Sequence, residues 1–194
     1  SRDERDVLDK LRPDTSVKNL IIRNYGGTMF PDWLGEEGSY SNLVSLSLNK
    51  CAYCVCLPPL GQLPSLKELR IEGMNGITHV GAELYGNTTC SNICLQELRI
   101  SDCPSLVSFP IDGLPTTLKK LEIQNCGKLE FPLSLSQCFT SLEDLSIRFS
   151  CEDSLKSLPL GFFPKLRFLN IKGCTNLETL SVVVANEIQN LASL

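Results

Sequence analysis

Leu95-Gln96-Glu97-Leu98-Arg99-Ile100-Ser101-Asp102-Cys103 carries the pattern on which the architecture of this chain turns. Its frame, Leu-x-x-Leu-x-Ile-x-x-Cys, returns at Leu118/Leu121/Ile123/Cys126 and at Leu166/Leu169/Ile171/Cys174. A looser copy is Leu43/Leu46/Leu48/Cys51. Three more keep the apolar frame and change the last residue: Val17/Leu20/Ile22 with Tyr25, Leu66/Leu69/Ile71 with Met74, and Leu142/Leu145/Ile147 with Ser150. First positions fall at 17, 43, 66, 95, 118, 142 and 166, and Leu194 sits where an eighth copy would begin, so the intervals run from 23 to 29 residues.

The Leu-x-Ile step has period two, which places Leu and Ile on one side of a short strand and their neighbours on the other. One such strand leaves its edges unpaired and buries too little surface. Copies stacked in parallel satisfy each other's backbone, and each buried aliphatic side chain contributes roughly 1.5–3 kcal/mol before entropy is subtracted. The space behind the strands is expected to be filled by Leu57, Ile77, Leu106, Leu129, Leu155 and Leu177. Phe30-Pro31, Leu57-Pro58, Phe109-Pro110, Phe131-Pro132 and Leu158-Pro159 follow the strands, and proline breaks helical geometry in these return segments. A repeat of this length and frame is the leucine-rich repeat signature. The expectation is one α/β-type leucine-rich repeat solenoid over residues 1–194. It has about seven repeats, a curved parallel sheet on the concave face, and short 3-10 and irregular segments on the convex face. The interval from Leu66 to Leu95 holds an expected surface-loop insertion at 80–94. The chain is expected to stop within a repeat at Leu191–Leu194, leaving apolar core exposed there and favouring self-association.

Composition narrows the function classes. The chain is 42% hydrophobic, enough for a buried core, with a net charge of −4 that gives no general attraction to nucleic acid. No apolar run approaches a membrane span. The charged start, Ser1-Arg2-Asp3-Glu4-Arg5-Asp6, is unlike a signal peptide. Of ten cysteines, Cys51, Cys103, Cys126 and Cys174 have a repeat position to explain them, and the rest show no capping pairs. Reduced thiols and a cytoplasmic location are therefore expected. Cys51-x-x-Cys54-x-Cys56 resembles a zinc half-site, but the only nearby second pair is Cys90-x-x-x-Cys94 and Cys51 already has a repeat position. His79, the only histidine, reads as a surface residue. No phosphate loop occurs, and the Asn87-Thr88-Thr89 sequon stands alone. No metal, cofactor or catalytic constellation is expected, so the chain is read as a non-enzyme.

The x positions of the strands are left as the candidate site. One stripe runs Asn19, Ser45, Glu68, Glu97, Lys120, Asp144, Phe168; the next Ile21, Ser47, Arg70, Arg99, Glu122, Ser146, Asn170; the third Arg23, Asn49, Glu72, Ser101, Gln124, Arg148, Lys172. Arg70 and Arg99 neighbour Glu68, Glu72 and Glu97, while Ile21 and Phe168 are apolar where water is expected. Aromatic and Arg residues exposed on a face are the types that anchor protein interfaces. Partner-binding residues are expected at Arg23, Glu68, Arg70, Glu72, Glu97, Arg99, Lys120, Glu122, Arg148, Phe168 and Lys172.

Several blocks are far more specific than the generic repeat. Val7-Leu8-Asp9-Lys10-Leu11-Arg12-Pro13, Tyr25-Gly26-Gly27-Thr28-Met29-Phe30-Pro31-Asp32-Trp33-Leu34, Leu57-Pro58-Pro59-Leu60-Gly61-Gln62-Leu63-Pro64-Ser65-Leu66-Lys67 and Val80-Gly81-Ala82-Glu83-Leu84-Tyr85-Gly86 cover roughly residues 7 to 87. They resemble the repeat region of plant coiled-coil nucleotide-binding leucine-rich repeat disease-resistance proteins of the RPP13-like type. The resemblance implies a module C-terminal to a nucleotide-binding switch. Such modules contact pathogen effectors or guarded host proteins and restrain the switch. This chain holds no coiled coil and no phosphate loop, so ATP binding falls outside it. Two alternatives stay open: the ectodomain of a cell-surface repeat receptor, and a substrate-receptor subunit of a ubiquitin ligase. The first is disfavoured by irregular intervals and a Leu-Pro-x-Leu-Gly element where Gly-x-Ile-Pro would stand. The second is disfavoured by the apolar-Pro continuation after the turn.

Overall fold

In a computed structural model the seven frames become seven parallel strands in chain order. The structure describes residues 2–36, 38–80, 94–109, 114–131, 139–184 and 187–191. A helix, α1 (Arg2–Lys10), precedes the solenoid. The strands are β1 (Asn19–Arg23), β2 (Ser45–Asn49), β3 (Glu68–Glu72), β4 (Glu97–Ser101), β5 (Lys120–Gln124), β6 (Asp144–Arg148), β7 (Ser157–Pro159), β8 (Phe168–Lys172), β9 (Thr179–Val184) and β10 (Glu187–Leu191). The concave sheet has the order β1-β2-β3-β4-β5-β6-β8. Register is kept at every step, so Leu46, Leu69, Leu98, Leu121, Leu145 and Leu169 lie side by side.

The core sits behind this sheet. Leu98, Ile100, Leu121, Ile123, Leu145 and Ile147 are fully buried, and so are the first-position residues Leu43, Leu95 and Leu142. Leu57, Ile77, Leu106, Leu129 and Leu155 close the core from the convex side as expected, and Leu177 is partly buried. At the last rung Leu166, Leu169 and Ile171 are also only partly buried, as among the described residues no further strand pairs with β8. The return segments use single 3-10 turns at Asp32–Gly35, Leu60–Gln62 and Leu160–Phe162. Phe139 lies between Phe131 and Phe163, with ring centroids 6.2 and 5.1 Å away, forming an aromatic spine under these returns.

Three features go beyond the expectation. Residues 2–10 form a helix that ends before Pro13, where ring geometry forbids its continuation. It docks through Leu8, through Arg5 on Asp32 at 2.7 Å and, just past its end, through Arg12 on Glu36 at 2.8 Å. The convex side carries ordered pairing: β7 runs parallel to β9, and His79 bridges Ser108 in parallel. Pro159 is tolerated because β7 lies at the edge of its sheet. Finally, the stretch expected to return toward Leu194 forms a hairpin, with β10 antiparallel to β9. Apart from Val80 and Cys94, the insertion expected at 80–94, with its Asn87 sequon, lies outside the described residues, as do Cys138 and Leu194.

Candidate functional site

The concave face is built by the pleat. In β3, β4 and β5 the Leu and Ile side chains are buried while the first, third and fifth residues face outward. The three stripes read from the sequence are therefore three rows of a continuous surface, its strands about 4.8 Å apart. Register sets Glu68 beside Glu97 and Arg70 beside Arg99, which would repel if left unpaired. Pairing two residues along each strand offsets that repulsion: Arg70 meets Glu72 at 2.8 Å and Arg99 meets Glu97 at 3.2 Å. Arg99 also reaches Glu122 at 3.7 Å, and Glu122 is gripped from its other side by Arg148. Lys120 pairs with Asp144 at 2.9 Å.

The predicted residues thus divide in two. Arg70, Glu72, Glu97, Arg99, Lys120, Glu122 and Arg148 are brought together as a charge lattice over β3–β6. Among the described residues Arg23, Glu68 and Lys172 have no ion pair, and Phe168 and Ile21 stand open at 54% and 56% exposure. Glu68 lies between Ser45 and Glu97 in the register and two residues from Arg70 along β3, yet has no ion pair among the described residues. The pocket between Arg70, Arg99 and Glu122 is shallow and polar, suited to charged side chains of a partner.

A row missed by the sequence reading borders this face. The residue directly after each strand has a positive φ in all seven turns: Asn24, Lys50, Gly73, Asp102, Asn125, Phe149 and Gly173. Six of them donate their N–H to the last carbonyl of the next strand, as Asp102 does to Gln124 at 3.0 Å and Phe149 to Lys172 at 2.7 Å. The left-handed bend lifts the chain off the sheet while keeping that bond. Five of the seven are Gly, Asn or Asp, the residues that tolerate it. That column was the available signal. Lys50 and Phe149 break it, and Phe149, the bulkiest member, is 45% exposed.

Behind the row lie the thiols. Cys51, Cys103 and Cys126 are buried, and Cys51 donates weakly to Ile22 O at 3.8 Å in the preceding turn. Ser150 fills the same position better, accepting the Cys126 N–H at 3.0 Å and donating to Arg148 O at 2.8 Å. Burial pushes the Cys54 and Cys151 thiols up to about 12. The hydrogen bond that Cys103 donates to Cys126, with burial, raises Cys103, and the same bond lowers Cys126. The raised thiols Cys54, Cys103 and Cys151 stay protonated at neutral pH and are packing groups, not activated nucleophiles. His79 is exposed and lies beside Thr78 Oγ1 at 2.7 Å.

With this geometry described, comparison with known proteins places the family. The R13L1/DRL21 leucine-rich repeat family model matches residues 1–74. RPP13-like protein 1 of Arabidopsis thaliana, named for disease resistance, is 33% identical over 218 residues, taking in 94% of this chain and 20% of that protein. The chain belongs to the leucine-rich repeat regions of plant disease-resistance proteins. Disease resistance protein RGA2 of Solanum bulbocastanum is 25% identical over 208 residues, 95% of this chain and 20% of its own length. The chain therefore spans about a fifth of these resistance proteins. The leucine-rich repeat domain of the type III effector XopL shares the fold, with a TM-score of 0.68 over 89% of this chain and 57% of that one, at 24% identity. Solenoids of this family are protein-interaction scaffolds. Among the described residues no helix is long and apolar enough to cross a membrane.

Proposed function

We propose that this leucine-rich repeat segment is the protein-recognition part of an intracellular, cytoplasmic immune receptor. Its concave face takes a protein partner, a pathogen effector or a guarded host protein. The same segment contacts the nucleotide-binding domain of its receptor and helps hold that switch at rest. The observation that supports this most is the in-register charge lattice over β3–β6 on a scaffold related to disease-resistance proteins. Such a lattice reads a partner by charge complementarity, which favours correct pairing more than raw affinity.

The experiment places Arg70→Glu, Arg99→Glu and Glu122→Lys in the full-length receptor. The expected outcome is altered activation, either loss of response to the pathogen or signalling without it, at unchanged protein level. A wild-type response and wild-type resting state in all three variants would remove the concave face from recognition.

A further inference from the structure

We infer that affinity on this face comes from an aromatic-cation anchor, Phe149 with Lys172 and Phe168, which takes an acidic, apolar-tipped protein segment, and not from the central arginines. The inference rests on the reading of the concave face as a protein-binding surface and specifies which residues grip.

The central arginines are already engaged. Arg70 is held by Glu72, and Arg99 by Glu97 and Glu122. Arg148 also holds Glu122. A partner carboxylate gains little from a guanidinium that must first release its own. Lys172 is different. Its ammonium has no carboxylate among the described residues and lies 5.6 Å over the Phe149 ring. A cation above an aromatic face keeps most of its hydration and remains open to an incoming anion.

Phe149 itself is the anomaly. A bulky side chain at φ 50° is strained, yet here nearly half of it is left open to solvent. The next turn makes room for it. Gly173 lies under the ring, where an added Cβ would come within 2.3 Å of Phe149 Cδ1. Lys50 and Gly73 repeat the arrangement more loosely, with a Cβ contact of 3.3 Å. Strain retained at an exposed aromatic points to use by a partner. Phe168 stands on the same strand as Lys172, about 13 Å away along it, so a segment lying along β8 meets apolar surface at both ends and a cation at one. Apolar side chains flanked by carboxylate match that surface.

The test pans a displayed library of random peptides against the 194-residue chain. Enriched peptides are expected to combine Asp or Glu with Leu, Ile or Phe. Phe149→Asn and Lys172→Gln should each weaken them by about tenfold or more, whereas Lys128→Gln, at an exposed position in the return segment after β5, stays within about twofold. Asn suits the left-handed position, so Phe149→Asn should fold and melt higher than the parent while binding worse, a combination that loss of a packing residue does not give. Peptides that survive Phe149→Asn, that are basic, or that depend instead on Arg70 and Arg99 would overturn the anchor and leave the recognition face intact. No enrichment at all would count against both.

Discussion

At the scale of single residues, burial and backbone conformation rank the positions. Leu98 is fully buried in the middle of the solenoid with neighbours on both sides. Leu98→Ala is expected to cost about 2–5 kcal/mol in urea denaturation, because neither adjoining rung can collapse into the gap. Phe149→Asn should do the opposite. Relief of the left-handed strain is worth roughly 1–2 kcal/mol, against about 0.5–1 kcal/mol for the lost contact with Lys172, so a small net gain in stability is expected. A variant that melts lower would show that the ring is held by packing after all. Frame residues such as Leu98 were legible from the sequence because period two and a fixed repeat leave one assignment. Phe149 was not, since its identity gives no sign of a positive φ. Only alignment of the column Asn24, Lys50, Gly73, Asp102, Asn125, Phe149, Gly173 gives the hint.

At the scale of elements, the concave strands and their charges behave differently from the core. The pairs across β3–β6 are partly solvated, with Arg99 at 43% side-chain exposure. Such pairs contribute about 0–1 kcal/mol, so Arg99→Gln should shift the denaturation midpoint only slightly while removing specificity. A loss above about 2 kcal/mol would mean that the lattice supports the fold itself. Strand positions were readable from the sequence to the residue, because each is pinned by its own Leu-x-Ile and by the copies around it. Helix α1 was not readable, since its nine residues are mostly charged and acquire their place by docking Leu8 and two arginines onto the first turn. The convex strands β7 and β9 were hidden for a similar reason: Ser157-Leu158-Pro159 is no strand former alone and becomes one beside Thr179–Ser181.

The whole molecule responds to pH and to concentration. Burial holds Cys54 and Cys151 protonated to about 12, against an ordinary 9.0, and raises Tyr25 and Tyr40 too. The folded chain keeps these protons longer than the unfolded one. Stability from this source is complete below about pH 9 and is lost as pH rises toward 12. Urea midpoints should fall across that window, and Cys54→Ala with Cys151→Ala should flatten the fall. At the last rung, Leu166, Leu169, Ile171 and Leu180 are only partly covered. Sedimentation is expected to show concentration-dependent self-association of this chain, and clean monomer at high concentration would contradict it.

The linear pattern was enough to set the solenoid, the seven rungs, their register and the residues facing out of the concave sheet. Repetition multiplies a weak local preference until one stacking remains. Tertiary structure alone decided which charges pair with which, where α1 sits, and that Phe149 stands strained at the rim. Those outcomes depend on contacts between neighbouring turns, where side-chain reach and backbone bend settle what a linear pattern leaves free.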